Sequence, residues 1–74
     1  MSNIVISQKK FIKILKTYNF YPKRQVGSHQ QWEGIVDDIR RLVSVDLHYH
    51  TYSHDLLASM IRQSGLPKKI FRSQ

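Results

Sequence analysis

Cysteine is absent from the 74 residues. Neither a disulfide framework nor a thiolate metal site can hold such a chain together. The absence agrees with a reducing compartment, and a cytoplasmic location is the expectation. Long apolar runs are also missing. None approaches the roughly 20 residues that span a bilayer. The opening "MSNIVISQKKF" is too short and too quickly charged for a secretory signal. Repeats, linkers and low-complexity tracts are lacking, so residues 1–74 read as one domain. A domain of this size buries only about 60% of the surface of its unfolded chain, so its core must be economical.

Acidic residues are scarce. Five Asp and Glu face twelve Lys and Arg, which gives a net charge of +7. Such an excess favours a polyanionic partner. Nucleic acid comes first, an anionic membrane surface second and an acidic protein third.

The remaining residues pattern as α-β-β-β-α. From Ser7 to Asn19, Phe11, Ile14, Leu15 and Tyr18 recur at helical spacing and make one apolar stripe, with Ser7 as N-cap. Lys9, Lys13 and Lys16 fall on the opposite face with no acidic residue among them. That face suits phosphate contacts as well as plain solvation. Tyr21–Val26 reads as a first strand, and Pro22 places it at a sheet edge. "GS" is a turn in which Gly27 takes a positive φ. His29–Val36 reads as a second strand, and Asp37-Asp38 as the next turn. Residues 41–47 alternate cleanly, with Val43, Val45 and Leu47 on the core side and Ser44 and Asp46 on the other. His54–Ser64 reads as a second helix, with Ser53 as N-cap, Leu57, Met60, Ile61 and Ser64 inward, Gly65 at its end and Pro67 as a stop. The tail "PKKIFRSQ" adds one turn that docks Ile70 or Phe71. The expected architecture is a two-layer α+β domain, a three-stranded antiparallel sheet with two helices on one face.

Two histidine sites compete for a chemical role. His48, His50 and His54 in "HYHTYSH" have a spacing that three zinc ligands could share. The plainer reading makes them loop and helix-start residues, with the tyrosines and Thr51 as loop filler. No metal is expected there. His29 follows the Gly-Ser turn, after Lys23 and Arg24. Nearby cations would disfavour its imidazolium form and leave a neutral base near pH 7. With RNA as partner, the 2′-hydroxyl beside the scissile phosphate is the nucleophile. The protein then needs only a proton-transfer group and cations. His29 fits the first role; Lys23, Arg24 and the helix lysines fit the second. Trp32 has two readings, a base-stacking platform or a core residue.

Taken together, "SQKKFIKILKTYNFYPKRQVGSHQQWEG", "RRLVSVDLH" and "LLASMIRQSGL" resemble the HicA family of bacterial toxins, small mRNA interferases of toxin–antitoxin pairs. The resemblance runs from about Ser7 to Phe71. It rests on Phe20, on Gly27-Ser28-His29 and on the amphipathic segment before Gly65-Leu66. It implies a double-stranded-RNA-binding-domain-like fold and ribosome-independent mRNA cleavage in the bacterial cytoplasm. It implies neutralisation by a HicB-type antitoxin and places the catalytic histidine on His29. It further implies a turn at Gly27 that only a small residue allows. RNA contacts are expected from Lys9, Lys13, Lys16, Lys23, Arg24 and Ser28. No cofactor and no membrane partner are expected. A monomer alone and a larger hetero-oligomer with antitoxin are the expected states. In the family the turn between the second and third strands usually contains glycine; here it reads "VDDIRR".

The alternative is a non-catalytic double-stranded-RNA module that contacts successive minor grooves. Such modules typically open their second helix with a lysine cluster. The corresponding "SHDLLAS" has Asp55 and no lysine, which weighs against this reading.

Overall fold

The computed structural model describes residues 5–72. In chain order they form β1 (Val5–Ser7), α1 (Gln8–Thr17), β2 (Tyr21–Val26), β3 (His29–Val36), β4 (Ile39–Asp46), β5 (Thr51–Ser53), α2 (His54–Ser64) and α3 (Lys68–Arg72). The expected α-β-β-β-α layout is present, with an antiparallel sheet in the order β2-β3-β4. Pro22 lies on the edge strand β2, the kind of strand in which a sheet tolerates proline. The register shifts between Pro22 and Arg24.

The two hairpin turns set the register. At the first, Gly27 has φ +59°, while a Cβ there would meet nothing within 4 Å. Glycine is favoured there by backbone conformation, and the expected restriction on size is not found. At the second, Asp37 and Asp38 have φ of 55° and 64°. Positive φ at both central residues is the pattern of a type I′ hairpin turn. Short polar side chains tolerate that conformation, so two aspartates close the turn without glycine. The ladder resumes immediately, with Val36 opposite Ile39. β4 therefore starts two residues before the expected Arg41.

Directly opposed residues share a face of a sheet. Trp32 opposes Val43 and Gln30 opposes Val45. Trp32, Val43 and Val45 form one core cluster with Phe11, Ile14 and Leu15 of α1 and Leu57, Met60 and Ile61 of α2. Both helices thus cover the same face. Phe20 ends the link from α1 and lays its ring over Gly34, where a Cβ would come within 2.6 Å of the ring. Ser7 caps α1, its hydroxyl accepting from the Lys10 N–H at 3.1 Å. α2 ends on Gly65, as expected, with φ 72°. Ser53 sits at the N-cap of α2 and makes no side-chain cap bond there.

Three further expectations change. Tyr18 belongs to no buried stripe and is 37% exposed, because α1 stops at Thr17 and Tyr18 is its non-helical C-cap. β1 and β5 form a second, two-stranded sheet in segments too short to show a period in sequence. Tyr52, expected to be loop filler, is wholly buried. It packs edge-on against Phe11 at 5.7 Å, and its phenol donates to the Asp46 carbonyl at 2.7 Å. Phe71 of α3 docks as expected, stacking on Phe11 at 5.2 Å. No helix among the described residues is long and apolar enough to cross a membrane.

Candidate active site

The sheet face opposite the helices carries His29. Strand alternation fixes this: Trp32 points into the core, so His29, Gln31 and Glu33 point the other way. Opposite His29 in the ladder is Asp46. His29 Nε2 lies 3.5 Å from Asp46 Oδ2, and the histidine side chain is 64% exposed. Arg24 opposes Gln31 on β2 and reaches the same face. Arg24, Val26, His29, Gln30, Gln31 and Ser44 line a shallow depression of about 190 Å³.

Asp46 joins several groups. Its Oδ1 accepts the His48 N–H at 2.9 Å. That bond holds its carboxyl below the usual carboxylate range. Partial burial works against the shift, while the His29 ring, the Ser28 hydroxyl and the His48 ring reinforce it. Ser28 therefore helps to hold the carboxylate beside His29. The Leu47 N–H also donates to the Ser28 carbonyl at 2.7 Å, tying the β2–β3 turn to the end of β4.

The charge beside His29 is thus anionic, where the sequence suggests a cationic setting. Lys23 is drawn aside: its Nζ lies 2.9 Å from Glu33 Oε1. Arg40 Nε lies 2.9 Å from the other oxygen of Glu33. These cations, the Lys23 hydrogen bond first and against some desolvation, keep Glu33 below its usual range. Arg24 is the cation that shares the depression with His29.

The helix lysines are placed differently. Lys9, Lys13 and Lys16 are exposed on the side of α1 that faces away from the sheet. Gln8, at the start of α1, donates to the Leu47 carbonyl at 3.0 Å. The start of α1 therefore lies at the His29 end of the molecule, while Phe20 at its far end reaches Gly34. Lys9 is close to that end. Lys13 and Lys16 recede by about 6 and 10 Å along the axis at the helical rise per residue.

Trp32 is core. It is 2% exposed, and its indole N–H donates to Gln30 Oε1 at 2.8 Å. It offers no stacking surface. His48, His50 and His54 are all exposed. Among the described residues no group of three or more His, Cys, Asp or Glu is placed to hold a metal ion.

The sequence reading missed Asp46 as the partner of His29. The signal was available: a two-residue turn at Asp37-Asp38 fixes every pair in the β3–β4 hairpin and sets position 29 against position 46.

A small basic α+β domain, with a histidine against a carboxylate on its uncovered sheet face, is the class that fold and site define. The chain belongs to the family of HicA toxins of bacterial toxin–antitoxin systems, whose family model matches residues 9–66. The matched span includes Gly27, Ser28, His29 and Asp46. No curated protein and no solved structure matches the chain.

Proposed function

We propose that this toxin is an mRNA endoribonuclease that acts independently of the ribosome. In this reading His29 transfers protons while the RNA 2′-hydroxyl attacks the adjacent phosphorus, and Arg24 stabilises the charge that develops on the phosphate. One observation carries the reading. An exposed imidazole stands on a bare sheet face, backed by a carboxylate at 3.5 Å and sharing a depression with an arginine. Asp46 positions the ring, because a carboxylate against one ring nitrogen turns the other outward. Ser28, Lys9, Lys13, Lys16 and Lys23 extend the phosphate-binding surface. RNA supplies its own nucleophile, so the chemistry calls for no metal or cofactor. The partner that silences it is a HicB-type antitoxin, whose acidic groups would meet the basic surface, in the bacterial cytoplasm.

Purified protein incubated with RNA in EDTA should leave fragments ending in a 2′,3′-cyclic or 3′-phosphate and a 5′-hydroxyl. His29→Ala should lose this activity by about 10²- to 10⁴-fold, the usual contribution of a positioned proton-transfer group, with its fold intact. Cleavage that disappears in EDTA, or persists in His29→Ala, would overturn the mechanism.

A further inference from the structure

We propose that His48 performs the second proton transfer of the cleavage reaction, opposite in role to His29. This rests on the RNA-cleaving reading above. Attack by a 2′-hydroxyl moves two protons, one off the nucleophile and one onto the leaving oxygen. The structure brings two histidines to one carboxylate, one by its ring and one by its backbone. His29 Nε2 lies 3.5 Å from Asp46 Oδ2, while His48 is anchored to Oδ1 through its backbone N–H at 2.9 Å.

His48 is also held in place. The Gln8 side-chain amide donates to the carbonyls on either side of it, Leu47 at 3.0 Å and Tyr49 at 2.8 Å. The Gln8 N–H donates to the His50 carbonyl at 2.8 Å. The loop is thus stapled to α1 on one side and to Ser28, next to His29, on the other. All of this anchoring uses backbone atoms of the loop. The His48 ring takes no part in it and is exposed, lying edge-on to Tyr49 at 5.3 Å. A residue whose backbone is fixed to the carboxylate that His29 meets, with its ring exposed, is the candidate for a second acid or base. The ionisable groups in contact with His48 are Asp46 from β4 and Tyr49 from its own loop. α1 contributes the neutral Gln8.

The step balances as follows. One imidazole accepts the 2′-hydroxyl proton as the 2′-oxygen bonds to phosphorus. The bond from phosphorus to the 5′-oxygen breaks as the other imidazolium delivers its proton to that oxygen. A 2′,3′-cyclic phosphate and a 5′-hydroxyl result. Each ring returns to its starting state by exchanging one proton with water.

The test is cleavage of two RNA oligonucleotides by wild type, His29→Ala and His48→Ala. One oligonucleotide is ordinary. The other carries sulfur in place of the 5′-oxygen at the mapped cleavage site, so that its leaving group departs without a proton. His48→Ala should slow ordinary RNA by about 10²-fold or more. Its melting temperature, and its affinity for RNA with a 2′-deoxy residue at the cleavage site, should match wild type. The sulfur substrate should rescue one of the two variants and not the other, which identifies the acid. Full activity of His48→Ala on ordinary RNA overturns the proposal while leaving the role of His29 standing. Rescue of both variants or of neither also overturns it, as does a fall in melting temperature or affinity, which would make His48 a structural residue. If wild type leaves ordinary RNA intact, both the proposal and the reading beneath it fail.

Discussion

Directly opposed residues of an antiparallel pair hold their Cβ atoms about 4.5–5.5 Å apart, and this spacing brings the His29 ring to Asp46. Neither residue needs an unusual backbone. The constraint lies in the turns around them, and at Gly34 in the room a ring requires. Phe20 occupies the space a Cβ would take, with contacts of 2.6 to 2.8 Å to its ring atoms. Gly34→Ala should therefore lower stability by about 1–3 kcal/mol, the usual cost of overpacking, in a denaturant titration. An unchanged midpoint would show that Phe20 can shift without cost. At this scale the sequence reading located His29 and the positive φ of Gly27. It fell short where tertiary context decides. Trp32 could be read as core or as platform until the ladder set it beside Val43. Tyr52 stood in a polar, histidine-rich stretch with no period to mark it as the aromatic centre of the core.

Among the elements, α1 was legible from its apolar spacing and its Ser7 cap, and α2 from its stripe and its Gly65-Leu66-Pro67 ending. β3 and β4 were legible from alternation. β1 and β5, three residues each, were not, since three residues cannot establish a period of two. Their pairing depends on α1 and the loop before β5 being brought together by Gln8. The basic face of α1 carries a separate expectation. Lys13 and Lys16 lie away from the sheet face that bears His29, so they should contribute to RNA affinity and leave the chemical step alone. Changing both to glutamine should make the salt dependence of RNA binding shallower by roughly one unit of slope per lysine, with the cleavage rate of bound RNA unchanged. An unaltered slope would remove α1 from the RNA interface.

For the whole molecule, ionised carboxylates help to hold the sheet, Asp46 at one end of the β3–β4 ladder and Glu33 within it. Asp46 and Glu33 are held below their ordinary range in the folded protein. A lowered folded value stabilises the fold above the unfolded value, about pH 4. That stabilisation is lost as pH falls through the folded values. Melting temperatures of wild type and of an Asp46→Asn, Glu33→Gln double variant should therefore differ at pH 6 and converge toward about pH 3; a constant gap would contradict this. On the proposed function, the net charge of +7 would meet both RNA and antitoxin, one basic surface serving activity and its silencing. Inducing wild type and His29→Ala in bacteria, with growth and transcript integrity followed together, decides whether toxicity is RNA cleavage through His29. Wild type should arrest growth with loss of mRNA, and His29→Ala should do neither. Equal arrest by the two would mean that the toxin acts by binding alone.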